Sequence, residues 1–278
     1  MKLFRPLVCL AAGLGLSHFA SAQTTLFSQN FDTLGATSLI TNSTGALGSG
    51  TGQFNYNLGS QQTLSIADKG SGNYAVRLSD NNTAASNSII QTNFTGVSTT
   101  GTGNNILSGS FDFTPLALSS GTRGNLVFGI ATTNTTSTGG NTAVQFFINA
   151  DLTVGYTNGA TTSNVPSLTL VAGTSYRIGI TADFGSATQD TWGFTITNTS
   201  TSTELSSLSG LSTRAANITP GSLFFSAGTF DARISSDPHV ELDNINFVAT
   251  SAIPEPGTYA LLVGAGALMM VSLRRCRR

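Results

Sequence analysis

Tyr176-Arg177-Ile178-Gly179-Ile180-Thr181-Ala182-Asp183-Phe184 is the stretch on which the fold of this chain turns. Every second residue, from Tyr176 through Ile178, Ile180 and Ala182 to Phe184, is apolar, and the residues between them are polar or glycine. Successive side chains leave opposite sides of a strand, so this period of two predicts a β-strand with one buried face and one wet face. Trp192 to Thr197 repeats it, with Trp192, Phe194 and Ile196 inward and Gly193, Thr195 and Thr197 outward. Together the two runs predict an antiparallel hairpin whose loop is Gly185 to Thr191.

Outward from this hairpin, similar runs predict strands at Tyr74 to Leu78, Leu107 to Phe113, Leu126 to Ile130, Val144 to Ile148 and Leu152 to Tyr156. The last of these runs into Asn158-Gly159, a strong hairpin-turn signal. No window of useful length carries the helical period. About a dozen short strands separated by turn residues predict an all-β fold, a two-sheet antiparallel β-sandwich. A β-solenoid is the rival architecture, but a repeat of the required period is absent from the sequence.

Composition agrees with this reading. Hydrophobic residues make up 39% of the 278 positions and charged residues only 9%, with Ser, Thr, Asn and Gly filling the difference. Short polar side chains compete with the backbone for hydrogen bonds and disfavour long helices. The 17 Phe residues supply enough large apolar surface for a packed core, which excludes disorder as the default. Across residues 24–253, twelve acids stand against six cations (Lys69, Arg77, Arg123, Arg177, Arg214 and Arg233), a net charge of −6. Such a surface has no basic stripe to neutralise phosphates, so nucleic acid is excluded as a partner. The two cysteines, Cys9 and Cys276, lie near the termini, so residues 23–252 contain no disulfide and no thiolate chemistry.

Both ends read as addresses. Residues 1–22 have the order of a secretory signal peptide: Lys2 and Arg5, an apolar stretch from Leu7 to Leu16, and a small-residue cleavage site at Ala20 and Ala22. Residues 253–278 have three parts: Pro254-Glu255-Pro256, an apolar span over 257–273, and a basic tail over 274–278 carrying Arg274, Arg275, Arg277 and Arg278. The apolar run from Tyr259 to Leu273 is about 22 Å long as a helix, against roughly 30 Å of hydrocarbon, so it spans a membrane only with Gly257 and Thr258 included and its arginines snorkelling. Those arginines act as the membrane stop and predict a single transmembrane helix with a cytoplasmic C-terminus.

This tripartite end resembles the PEP-CTERM sorting signal of exported bacterial proteins. The resemblance implies recognition of Pro254, Glu255 and Pro256 by a membrane-embedded transpeptidase, exosortase. It further implies passage through the secretion machinery, a precursor transiently held in the inner membrane, and a final place on the surface or in the extracellular matrix of a Gram-negative-type bacterium. The segments Phe146 to Gly159 and Leu170 to Phe184 resemble strands of laminin-G-like, concanavalin-type jelly rolls, the second opening with the turn Ala172-Gly173-Thr174. Jelly rolls commonly bring their first and last strands together, which would pair Phe27 to Asp32 with His239 to Phe247. In the second run Val240 and Leu242 share one phase while Ile245 and Phe247 share the other, so a bulge is predicted at Asp243 or Asn244.

No residue earns a catalytic assignment from the sequence alone. One jelly-roll glycosidase family presents Glu-x-Asp-x-x-Glu on a single strand; Glu241-Leu242-Asp243 copies its first half, but Asn246 stands where the second glutamate belongs. A pair built from Asp residues stays open. Asp32, Asp243 and Asn244 form a candidate Ca²⁺ group, because carboxylate and amide oxygens on adjoining strands suit a hard cation; the bland alternative is that they end strands and stabilise turns. Trp192 and Tyr156 keep phase with core residues. Phe147 does not, which makes it the candidate ligand contact on the other side of its sheet. His239 has no second histidine within residues 23–252, so a histidine metal centre is excluded. The expectation is a non-enzymatic structural or carbohydrate-binding protein of the cell envelope or exopolysaccharide matrix, with no cofactor beyond a structural Ca²⁺ and with polysaccharide as its partner. The alternative is a secreted glycoside hydrolase or lyase of jelly-roll fold.

Overall fold

The computed structural model describes residues 23–36, 40–41, 44–58, 62–80, 88–100, 103–117, 126–134, 140–186, 190–215, 218–227, 239–251 and 264. The segments expected to be a signal peptide and a sorting tail, including Ala20, Ala22, Pro254, Glu255, Pro256 and the four terminal arginines, lie outside them. Among the described residues no helix is long and apolar enough to cross a membrane.

The chain forms β1 (Gln23–Gln29), β2 (Ile40–Thr41), β3 (Thr44–Leu47), β4 (Phe54–Asn57), β5 (Gln62–Gly70), β6 (Asn73–Asp80), β7 (Ser88–Asn93) and β8 (Ile106–Pro115). It continues with β9 (Leu126–Ala131), β10 (Thr142–Ile148), β11 (Thr153–Asn158), β12 (Thr161–Thr169), β13 (Tyr176–Asp183), β14 (Thr191–Asn198), β15 (Thr203–Ser212), β16 (Ser222–Ala227) and β17 (Val240–Thr250). Nine strands make one sheet in the order β15-β14-β13-β8-β17-β6-β5-β2, with β1 also on β17; eight make the other in the order β12-β11-β10-β9-β16-β7-β4-β3. All pairings are antiparallel. The result is a two-sheet sandwich, consistent with a jelly roll.

The deciding hairpin is β13–β14, in register from Tyr176 opposite Asn198 to Asp183 opposite Thr191. Its inward residues Ile178, Ile180, Trp192, Phe194 and Ile196 are all buried. The core between the sheets is aromatic: Phe225 touches Phe54, Phe111 and Phe128, with ring centroids 4.9–6.1 Å apart. Offset and edge-on pairs at such separations add to the burial of the rings themselves.

First and last strands do meet, and the bulge falls where the phases predict. Along one side of β17 runs β8; along the other, Val240 to Leu242 pair with β6 and Ile245 to Thr250 with β1. The register slips by one residue between Asp243 and Asn246, with Asn244 in the left-handed region at φ 48. Asparagine enters that region more readily than most residues.

Eight strands escape the sequence reading. β16, Ser222 to Ala227, is buried on both faces and so shows no alternation. β15 is nearly all Ser, Thr and Leu with its hydroxyls exposed, and β12 contains Pro166. Proline is tolerated there because β12 is an edge strand and its register breaks between Asn164 and Thr169. The Asn158-Gly159 signal lands one residue early, since Asn158 pairs with Thr161 and the turn itself is Gly159 and Ala160. His239, the first residue of the run expected to form the last strand, is buried and extends the ladder: its N–H donates to Leu78 O and its carbonyl accepts from Leu116 N–H.

Candidate functional site

Alternation that buries one side of β8, β13 and β17 sends Asp112, Arg177, Glu241 and Asp243 to the outer face of the nine-stranded sheet. Register then sets them in rows. Asp243 stands opposite Asp112, Asp112 opposite Arg177, Arg177 opposite Thr197, and Thr197 opposite Glu204. One step along, Glu241 lies between Thr114 and Arg77.

Arg177 grips Asp112 with a two-pronged bond, Nε to Oδ1 at 2.8 Å and Nη2 to Oδ2 at 2.9 Å. That hydrogen bonding raises the Arg177 pKa still further. The bulge turns Asn244 so that its Nδ2 also donates to Asp112 Oδ2, at 2.9 Å. Glu241 binds Lys69 at 2.7 Å and accepts from Arg77 Nε at 2.7 Å. Among the described residues no cation forms an ion pair with Asp243, although the Lys69 charge acts on it from farther off. Its Oδ1 accepts the Asn244 N–H at 2.7 Å, but the residue is only 7% exposed, and burial, reinforced by the nearby Asp32 and Asp112 charges, pushes its carboxyl up to about 6.

Farther along the sheet, starting one outward residue beyond Arg177 on β13, a shallow trough of about 270 Å³ crosses β8, β13, β14 and β15, lined by neither Arg177 nor the two aspartates. Its lining includes Ser108, Gly179, Thr181, Gly193, Thr195 and Ser207, so it is uncharged and rich in hydroxyls. Gly179 is the next outward residue along β13 from Arg177. Gly193 admits no side chain, because a Cβ there would meet Leu208 O at 2.5 Å.

Asp32 and Asp243 lie near enough for their charges to interact, and three of the candidate calcium group's carboxylate oxygens accept protein N–H groups. Asp32 takes Tyr74 N–H on Oδ1 and Asn30 Nδ2 on Oδ2, both at 2.9 Å, and Asp243 takes Asn244 N–H. Among the described residues no three His, Cys, Asp or Glu side chains are grouped to hold a metal ion. Phe147 faces the second side of its sheet, packed with Val127, Ala131 and Phe224 apart from the main core. Asp112 and Arg177 are the members of the site that sequence reasoning misses. Their outward phase is readable, but nothing local says that β8 separates β13 from β17.

No protein-family model matches this chain and no curated protein matches it in sequence. Among solved structures, a doubly substituted alginate lyase Aly36B holding an alginate tetrasaccharide is similar at 17% identity and a TM-score of 0.51, over 84% of this chain and 100% of that one. A sialidase is similar at 12% identity and a TM-score of 0.50, over 82% of this chain but only 19% of its own length. An alginate lyase from Aplysia kurodai is similar at 12% identity and a TM-score of 0.49, over 66% of this chain and 86% of its own. At such identities the likeness is one of fold. It nevertheless overturns the expectation of a non-enzymatic protein, because that expectation rested on a missing Glu-x-Asp-x-x-Glu strand, and the matching sandwich makes up the whole of the alginate lyase Aly36B chain.

Proposed function

We propose that this chain is an exported, carbohydrate-active jelly-roll protein that cleaves a polysaccharide at the outer face of its nine-stranded sheet. The observation that carries the reading is the Asp243–Asp112 pair. Cross-strand partners hold their Cβ atoms about 4.5–5.5 Å apart, and glycoside hydrolysis is carried by two carboxyl groups at close range whose environments differ. Asp243, pushed up to about 6, is the group suited to give a proton to a leaving glycosidic oxygen. Asp112, held at both oxygens by Arg177, is the group placed to face the developing positive charge. The hydroxyl-lined trough farther along the same face fits a sugar chain.

Elimination is the second reading, favoured by the likeness to the alginate lyase. It requires a uronate whose carboxylate is neutralised, and Lys69, Arg77 and Arg177 on this face are already paired with Glu241 and Asp112. Delivery rests on the two terminal addresses: the signal peptide for export, and sorting by exosortase at Pro254, Glu255 and Pro256 toward the cell surface or exopolysaccharide matrix.

Incubation of the purified protein with neutral and uronic polysaccharides tests the reading. Hydrolysis releases saturated reducing ends, elimination releases unsaturated ends with new ultraviolet absorbance, and activity by the Asp243 acid declines above about pH 6. Asp243→Asn and Asp112→Asn should each lower turnover at least about a hundredfold. Turnover unchanged in both variants, or no cleavage of any polysaccharide, defeats the proposal.

A further inference from the structure

On the opposite side of the molecule, the outer face of the eight-stranded sheet carries a cluster of carboxamides that the cleaving face does not use. Asn55 on β4 stands opposite Gln91 on β7, and Asn57 stands opposite Ile89. These side chains, with Tyr56 and Asn134, line a depression of about 320 Å³ without a single charged group. Asn134 is held in the left-handed region at φ 59 and locked in place: Asn93 Nδ2 donates to its Oδ1 at 2.6 Å, and its own N–H donates to Asn93 Oδ1 at 3.1 Å. Gln91 Nε2 donates to the same Asn93 oxygen at 3.3 Å. By contrast, Asn55 and Asn57 are exposed and their amides make no hydrogen bond among the described residues.

We propose that this depression is a binding subsite for a neutral, hydroxyl-rich glycan, separate from the Asp112–Asp243 pair. A carboxamide offers an acceptor oxygen and a donor nitrogen side by side, which matches the donor and acceptor capacity of neighbouring sugar hydroxyls. Ile89, half-buried in the same phase as Gln91, gives the apolar C–H face of a pyranose something to rest on. With no cation in the lining, a uronate carboxylate finds no counter-charge, and the net −6 across residues 24–253 works against an anionic chain. Asn134 and Gln91, already fixed through Asn93, lose little freedom on binding, which favours affinity. The subsite stands whether or not the opposite face cleaves, since it is built on other strands.

Affinity electrophoresis of the purified protein through gels containing a neutral β-glucan, a neutral galactomannan or alginate tests the assignment without requiring turnover. The expected result is retardation by at least one neutral glycan and none by alginate. A combined Asn55→Ala and Gln91→Ala variant should bind roughly tenfold more weakly, with its thermal midpoint unchanged, while Asp243→Asn retains full retardation. If the double variant unfolds, the exposed Asn57→Ser substitution serves in its place and should weaken binding severalfold. Retardation by alginate alone, no retardation by any neutral glycan, or binding indifferent to these substitutions overturns the proposal. Retardation of the parent protein by a neutral glycan, with no reducing-end release from any polysaccharide, would sink the cleavage reading and leave this one standing.

Discussion

Asp243 stands directly opposite Asp112 on neighbouring strands, yet among the described residues only Asp112 of the two is in an ion pair: Arg177 binds both of its oxygens while Asp243 lies buried with the Asn244 N–H on its Oδ1. Burial pushes the Asp243 carboxyl up to about 6. The consequences extend from chemistry to stability.

Stability should fall as pH rises through the acid range. The unfolded chain releases the Asp243 proton near the ordinary 3.8, the folded chain only near about 6, so between those values the folded state holds one proton more. The protonated form's contribution is full below about 3.8 and lost by about 6, a loss of up to about 3 kcal/mol. Asp243→Asn keeps the acceptor for Asn244 N–H and removes the titration. Urea unfolding should find it more stable than the parent above about pH 6, with the advantage shrinking toward about pH 4. A parent and variant that track each other across this range would refute the burial argument.

The bulge should choose its residue by backbone conformation. At φ 48, Asn244→Gly relieves any steric demand but gives up the bond to Asp112, for a net change within about 1 kcal/mol. Asn244→Val forces a β-branched residue into the left-handed region and should cost on the order of 1–3 kcal/mol. Denaturant midpoints of the two variants decide the matter, and equal midpoints would show the strain to be absorbed elsewhere.

Two glycines on the eight-stranded sheet make room for rings. Added methyls would collide with Phe224 at Gly129 and with Phe147 at Gly155. Phe224 is fully buried, whereas Phe147 is partly exposed and has space to swing outward. Gly129→Ala should therefore destabilise by about 1–3 kcal/mol and Gly155→Ala by less. Thermal unfolding of both variants gives the order, and a larger effect at Gly155 would contradict the packing described.

Processing at the tail predicts that protein recovered from the envelope or matrix lacks Val271 to Arg278. Intact-mass measurement of that material checks it directly. A mass that still includes the four arginines counts against exosortase cleavage, and protein retained in the cytosol defeats the export reading altogether.

Several of the strands readable in advance have one wet face: β13, β14, β8 and β17 alternate, and the phase change within β17 marked its bulge. Two of those that escaped lack that contrast. β16 is buried on both sides, and β15 holds hydroxyls where core residues alternate elsewhere. Phe147 announced its direction by being out of phase with Phe146 and Ile148. The outward direction of Asp112 was equally plain, but its company was not.

By itself the sequence determined the strand period, the inward residues, the bulge and the reading of the two ends as addresses, because each is written in neighbouring residues. Only the tertiary structure decided that β8 lies between β13 and β17. That order brings Arg177 to Asp112 across 65 residues and Asn244 to it across 132. Closing loops of such different lengths differs little in entropy, so local pattern cannot choose between partners. The choice falls to the packing of whole sheets. It is there that two unremarkable aspartates become a pair.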